Sequence, residues 1–358
     1  MLKFLTAGES HGEALVGILE GLPANLKIDF GLVNSELAKR QQGYGRGARM
    51  QIECDKAQFL AGVRGGVTTG APIGILIENK DYKNWQDIIG ANATKLSERV
   101  LTAVRPGHAD LAGCIKYDQQ DARNILERAS ARSTAMTVAI GSVCKQFLSV
   151  LGIEIFSKVL SIGGASSDKD IKAKIDEAKA KGDTLGGEIS LTASGMPVGL
   201  GSHISPTARL EFTLTSHLMA LNSIKSVAIG KASDYKTKFG SQMHDAIYID
   251  KAKKITRKTN NAGGIEGGIS NGEDLLITLI AKPIPTVMCG LDSIDIATKK
   301  PSKSASERSD TCAVEAVAVV AEAVLAYALS EIVVANLGGD TMNEAIDRLN
   351  KKRNKEKL

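Results

Sequence analysis

Apolar positions along this chain recur with two periods, and the two kinds of run follow one another irregularly. Leu2–Thr6, Leu15–Leu19, Ile52–Cys54, Phe59–Val63, Ile73–Ile77, Lys158–Ile162, Ile189–Ala193 and Leu275–Ala281 alternate or run apolar between turn signals, which predicts strands. Helical spacing covers Asn34–Arg40, with Asn34 or Ser35 as cap, and Arg209–Leu221. Asp168–Lys181 is rich in Lys and Asp and predicts an exposed helix, and Asp81–Glu98, with Trp85, reads as a polar excursion over the surface. Ala129–Val150 reads as one mostly buried helix of small and apolar residues. Ala313–Ala335 is apolar all round except Glu315, Glu322 and Glu331, so it predicts a central buried helix. Strands and helices do not alternate as β–α–β–α, which disfavours a doubly wound parallel sheet. The expectation is an α+β fold with antiparallel sheets, one domain over residues 1–340 and a basic C-terminal tail over 341–358.

Composition adds limits. The 358 residues are 43% hydrophobic and 24% charged, ordinary for a globular protein. Of the net charge of +5, +4 lies in the last eight residues, KKRNKEKL, which reads as a solvated terminus. The body is nearly neutral and aromatics are scarce at 4%, which argues against a nucleic-acid partner. Five scattered cysteines without a CxxC pair imply reduced thiols, no metal site and a cytoplasmic protein. No apolar run reads as membrane-spanning, so no membrane partner is expected.

Candidate chemistry concentrates in arginines, histidines and glycines. Arg105–Ala135 holds Arg105, Arg123, Arg128 and Arg132, with His108 on a turn made by Pro106 and Gly107. Arg128, Ser130 and Arg132 are expected near a helix start, where guanidinium forks and free N–H groups suit an anion. His11 lies between Gly8 and Gly12, beside Ser10. Arg40, Arg46 and Arg49 are interleaved with Gly43, Gly45 and Gly47, the pattern of a loop that is mobile when empty and closes on an anion. Thr259–Gly272 is the densest glycine stretch, suited to a flat ligand or to a hairpin. A GxGxxG or Walker fingerprint is missing.

In register these segments resemble the chorismate synthase family. The motifs are GESHG (Gly8–Gly12), GYGRG (Gly43–Gly47), RPGHAD (Arg105–Asp110), SAR (Ser130–Arg132) and GLGS (Gly199–Ser202). NNAGGIEGGISNG (Asn260–Gly272), KPIPT (Lys282–Thr286) and ERSDTCAV (Glu307–Val314) complete the set. The resemblance implies a β–α–β sandwich with antiparallel sheets around buried helices, usually a homotetramer. It implies a lyase that converts 5-enolpyruvylshikimate 3-phosphate to chorismate and phosphate with reduced FMN and no net redox change. Residue by residue, His11, His108 and Asp310 match the catalytic groups. Ser10, Arg40, Arg46, Arg49, Arg105 and Arg132 match substrate contacts. Arg128, Ala129, Ser130, Asn222, Ser223, Gly267, Lys282, Pro283, Ile284, Pro285, Thr286 and Arg308 match flavin contacts. Arginine suits the several anions of substrate and FMN better than lysine does. Three departures stand out: Ala129 and Ser133 where many members have Ser and Glu, Ser309–Thr311 where many read HDP, and the HIS that follows GLGS.

Two other readings compete with this resemblance. A flavin- and NADPH-dependent oxidoreductase acting on another anionic substrate would need the missing nucleotide fingerprint, although some family members reduce their own flavin with NADPH. An RNA-binding protein would need aromatic platforms among the basic residues.

Overall fold

The computed structural model describes residues 1–46, 54–251, 255–305 and 310–354. Two antiparallel four-stranded sheets frame it. The first holds β1 (Lys3–Ala7), β2 (Ala14–Glu20), β3 (Gln58–Ala61) and β4 (Ile73–Glu78), in the order β1-β2-β4-β3. Between β2 and β3 runs helix α1 (Phe30–Gln41). Helices α2 (Asp110–Tyr117), α3 (Arg123–Ala129) and α4 (Thr134–Val150) follow. The second sheet comprises β5 (Glu154–Ile162), β6 (Gly187–Ser194), β7 (Ile224–Ile229) and β8 (Leu275–Ala281), in the order β5-β6-β8-β7. Both sheets thus insert their fourth strand between the second and third. Helix α5 (Asp168–Ala180) joins β5 to β6, and α6 (Leu210–Ala220) precedes β7. Helices α7 (Val314–Leu337) and α8 (Met342–Asn354) complete the chain described.

The strand pattern carries the packing. In β2, Leu15, Gly17 and Leu19 face inward while Val16, Ile18 and Glu20 face out; Ile73, Ile75 and Ile77 of β4 are buried. Leu275, Ile277, Leu279 and Ala281 of β8 do the same for the second sheet. Each of these buried Leu and Ile side chains contributes roughly 1.5–3 kcal/mol relative to exposure. Helix α4 packs on β1, β2 and β4 and also touches β5, while α7 packs on α4, β5 and β6. Small residues let these layers approach. A Cβ at Gly17 would lie 2.5 Å from Met136 Sδ, and one at Gly141 would lie 2.4 Å from both Ala323 Cβ and its carbonyl oxygen.

Four expectations change. Helix α1 starts at Phe30 because the Asp29 side chain accepts from the Gly31 and Leu32 amides, a cap the apolar pattern hid. Ala129–Val150 is not one helix. At Ser130 the backbone turns extended, its side chain accepts from the Arg132 amide, and a short 3-10 turn over Ala131–Ser133 precedes α4. Contrary to the expectation of no membrane-length apolar run, the 24-residue α7 is long and apolar enough to span one; most of it is buried against α4 and the second sheet instead. Lys351–Asn354 are helical, not frayed, although Lys351 and Asn354 are exposed. They extend α8, which buries Met342, Ala345 and Leu349; Lys352 Nζ and Arg353 Nη2 donate to the Gly199 and Gly195 carbonyls.

Candidate active site

The junction between α3 and α4 gathers the sequence-predicted residues. The β1–β2 connection reaches it because Gly8 adopts φ +113°; a Cβ there would sit 2.4 Å from the Ala14 carbonyl oxygen. The Ser10 amide donates to the Glu127 carbonyl at 2.9 Å, and Ser130 Oγ donates to Ser10 Oγ at 3.1 Å. His11 is buried. Its Nδ1 lies 2.9 and 3.0 Å from the two Glu127 carboxylate oxygens, and its amide donates to Glu127 Oε2 at 2.8 Å. An ionised carboxylate only accepts, so Nδ1 carries the proton and Nε2 is left for chemistry. Burial alone would raise the Glu127 carboxyl, but the His11 hydrogen bonds and the Arg123 charge outweigh it and hold it below the ordinary range.

His108 repeats this arrangement. Its Nδ1 meets Asp110 Oδ1 at 2.5 Å, on a carboxylate whose other oxygen accepts from Arg105 Nε at 2.8 Å. Arg105 Nη1 donates to Thr286 Oγ1 at 2.9 Å, so Arg105 braces the His108 turn against the KPIPT segment. Burial opposes ionisation of Asp110, but hydrogen bonds and charge from His108 and Arg105 prevail and its carboxyl lies far below the usual value.

A buried arginine cluster adjoins His11. Arg132 donates Nη1 to both Asp55 oxygens, at 2.6 and 2.8 Å, and Nε to Asn79 Oδ1 at 2.8 Å. Asn79 in turn donates to the Glu9 and Gly12 carbonyls, tying the cluster to the His11 loop. Arg40 Nε donates to Thr134 Oγ1 and Nη2 to the Ala131 carbonyl, each at 2.9 Å, and Nη1 lies 3.6 Å from Asp55. That Nη1 is buried without a hydrogen bond. Burial pulls the Arg40 guanidinium down to about 10; Asp55 resists, while Arg132 and Arg46 add to the fall. It remains a cation at neutral pH, in a cluster primed for an anion. Arg46 pairs with Asp310 at 2.9 Å.

The residues matched to flavin contacts fall into one main group. Asn222 Nδ2 donates to the Ala129 carbonyl at 3.1 Å, and the Lys282 amide donates to the Ser223 carbonyl at 2.9 Å. Lys282 Nζ donates to the Gly107 carbonyl, on the His108 turn. Burial, then Lys225, lowers the Lys282 ammonium. Ser223 Oγ is buried and lacks a hydrogen bond. Arg128 holds the Thr6 carbonyl and hydroxyl, at 2.9 and 2.7 Å, and with Asn222 it lines a cavity of about 230 Å³ that also touches Phe4, His217 and Tyr327. Gly267 lies apart, in a turn whose neighbours are Leu200, Ser202 and Arg209; a Cβ on it would meet open space. The other glycines of Thr259–Gly272 serve mainly close backbone packing, as Gly263 does against Gly230. Arg49 and Arg308 lie outside the described residues.

The family model for chorismate synthase matches residues 2–334. The chain belongs to the chorismate synthase family. It is 52% identical over 343 residues to the chorismate synthase of Thermoanaerobacter pseudethanolicus, with 96% of each chain covered. It is 47% identical over 378 residues to that of Geobacter sulfurreducens, again with 96% of each covered. A crystal structure of a chorismate synthase, 38% identical, superposes with a TM-score of 0.80 over 99% of this chain and 98% of the other. The protein is accordingly a chorismate-forming lyase of the shikimate pathway that acts on a small molecule.

Sequence reasoning missed the carboxylates, the amide and the aromatic that hold this site: Asp55, Asp110, Glu127, Asn79 and Trp85. Only Asp110 had a local signal, two residues after His108. Trp85 lay in the segment read as a surface excursion, yet its ring stacks on His11 with centroids 4.0 Å apart.

Proposed function

We propose that the chain converts 5-enolpyruvylshikimate 3-phosphate to chorismate and phosphate by a 1,4-elimination that requires reduced FMN and leaves no net redox change. The observation that carries this reading is the pairing of two histidines, each with Nδ1 on a buried carboxylate, beside a buried arginine cluster with an unpartnered donor. The residues present fit the flavin. An unpartnered buried Ser223 hydroxyl, the Lys282 ammonium and Arg128 share the group that spans Asn222 and KPIPT, and Gly267 leaves room for a ligand. With Arg308 these residues would hold FMN, whose chemistry when bound is to lend the substrate an electron and recover it.

Arg40, Arg46, Arg49, Arg105, Arg132 and Ser10 bind the phosphate and carboxylates. Arg40 Nη1 supplies a donor that burial keeps free of water. His11 acts as the imidazolium: it keeps Nδ1–H on Glu127 and donates its Nε2 proton to the departing phosphate. His108 holds its proton towards the flavin side of the site, and Asp310 accepts the proton lost from the ring. Asp55 and Asn79 keep the Arg132 fork fixed throughout, so little reorganisation accompanies the charge shift. In this reading residues 1–340 form the catalytic unit as a β–α–β sandwich, in a cytoplasmic homotetramer. Leu5, Val16 and Ile18, exposed on the outer face of the first sheet, support association.

The test is a single-turnover assay under anaerobic conditions. Pre-reduced FMN should give chorismate and phosphate, and oxidised FMN none; NADPH added to oxidised FMN asks whether the protein reduces its own flavin. His11→Ala, His108→Ala and Asp310→Ala should each slow turnover about a hundred- to ten-thousand-fold, while His203→Ala, His217→Ala and His244→Ala retain most activity. Equal turnover without flavin, or near wild-type rates in the first three variants, would overturn the reading.

A further inference from the structure

We propose that Glu127 and Trp85 are positioning residues for His11: the carboxylate selects which ring nitrogen carries the proton, and the indole fixes the plane of the ring. The proposal rests on the reading of His11 as proton donor: with one proton fixed at Nδ1 by Glu127, the second proton of the imidazolium sits on Nε2, and that is the proton given to the phosphate.

Glu127 grips residues 10 and 11 at four points. Its carbonyl accepts from the Ser10 amide, one carboxylate oxygen accepts from the His11 amide, and both oxygens lie within 3.0 Å of Nδ1. Backbone and ring are therefore held by the same side chain, which leaves the imidazole little freedom to rotate. A neutral imidazole in water exchanges its proton between the two nitrogens; a buried acceptor at Nδ1 removes that choice. The indole completes the seat. Trp85 lies over the imidazole at 4.0 Å with a 32° tilt, and Arg99 and Arg123 sit 4.1 and 5.2 Å from the indole centroid. Arg123 joins the two halves: Nη1 reaches Glu127 Oε1 at 3.5 Å, and Nε donates to the Arg99 carbonyl at 2.6 Å. Trp85 is itself anchored, donating Nε1–H to Asp81 Oδ2 at 3.1 Å. The Asp81–Glu98 stretch, a surface excursion by its polarity, thus carries the lid of the His11 seat.

Two readouts test this, one of which needs neither flavin nor substrate. In protein labelled with ¹⁵N-histidine, the five imidazoles are resolved and His11 is assigned by its loss in His11→Ala. Wild-type His11 should show a protonated Nδ1, and Glu127→Gln should shift it towards the Nε2–H tautomer or a mixture. In steady-state assays with pre-reduced FMN, Glu127→Gln should lower kcat at least about tenfold, because the imidazolium loses the carboxylate that anchors and balances it, with KM changed less than about twofold. Glu127→Asp, which keeps a carboxylate, should recover part of kcat. Trp85→Ala should lower kcat without changing the tautomer. An unchanged His11 tautomer in Glu127→Gln overturns the proposal, as does a wild-type kcat in Glu127→Gln while His11→Ala is inactive. Should Glu127→Gln fail to fold, Glu127→Asp is read instead: a kcat between those of wild type and His11→Ala supports the carboxylate's role, and a wild-type kcat with an altered His11 tautomer overturns it. Full activity in His11→Ala defeats the donor reading instead, and the spectra still report on Glu127.

Discussion

Arg46 and Asp310 form an ion pair of 2.9 Å between two largely buried side chains, joining the glycine–arginine loop to the segment that leads into α7. The loop is fastened elsewhere as well. The Tyr44 amide donates to Glu315 Oε2 at 2.9 Å, the Tyr44 hydroxyl to Asp176 Oδ1 at 2.8 Å, and the Thr311 amide to the Gly45 carbonyl at 2.9 Å. Gly43–Arg46 is therefore docked against α5 and the start of α7, while residues 47–49 of the same glycine–arginine loop lie outside the described residues. A substrate anion that engages Arg46 must share it with Asp310.

The Tyr44–Asp176 contact tests whether this docking matters to binding. Tyr44→Phe and Asp176→Ala each remove one exposed hydrogen bond, so the substrate KM should rise roughly two- to tenfold with kcat nearly unchanged. The double variant should cost no more than either single one, because both act on one contact. Additive effects in a steady-state double-mutant cycle would show that the residues act separately.

Asp55 should be the most costly carboxylate to remove. Its side chain is fully buried, it takes both hydrogen bonds from Arg132 Nη1, and it is the anion nearest the Arg40 Nη1. Asp55→Ala leaves two buried guanidiniums without their shared counter-charge, a loss of roughly 3–5 kcal/mol. Urea unfolding at neutral pH measures it; a loss under about 1 kcal/mol would mean that water or another group takes over.

Much of this architecture was legible in the sequence. Period-two runs such as Leu15–Leu19 and Leu275–Ala281 became sheet strands, and the apolar run from Ala313 became α7, because burial on one face or all round leaves a periodic trace. The family motifs led directly to His11, His108 and the arginines. What supports them left no such trace. Glu127 and Asp55 act at sequence separations of 116 and 77 from His11 and Arg132, and a lone acidic residue carries no pattern that points to a distant partner. The break at Ser130 was hidden because the residues around it keep helical spacing, and only the Ser130 side chain, turned onto the Arg132 amide, marks the new start.

The His108 turn should respond to acid with a definite sign. Asp110 has a folded-state pKa depressed below its unfolded value, so it stays ionised in the native state at pH values where the unfolded chain is protonated. Its contribution to stability is complete above the ordinary carboxyl value of about 4 and is lost as pH falls through the folded value. The stability gap between wild type and Asp110→Asn should therefore shrink as pH falls below about 4. Thermal unfolding across that range checks it; a gap that widens on acidification would contradict the assignment.

The crossing of α4 and α7 offers a test of the core that is independent of the site. Gly141 is helical and, for propensity alone, alanine there should gain about 1 kcal/mol. Yet the added Cβ would lie 2.4 Å from the Ala323 carbonyl oxygen and 2.5 Å from its Cα, both parts of a helix backbone that cannot rotate away. Overpacking of this kind costs about 1–3 kcal/mol and occasionally more, so the clash should exceed the gain in propensity. Gly141→Ala should lower stability in urea unfolding, and pairing it with Ala323→Gly should recover only part, because the carbonyl contact persists. Gly141→Ala as stable as wild type would show that the two helices can separate at no cost, and that their close approach is not what holds the sheets together.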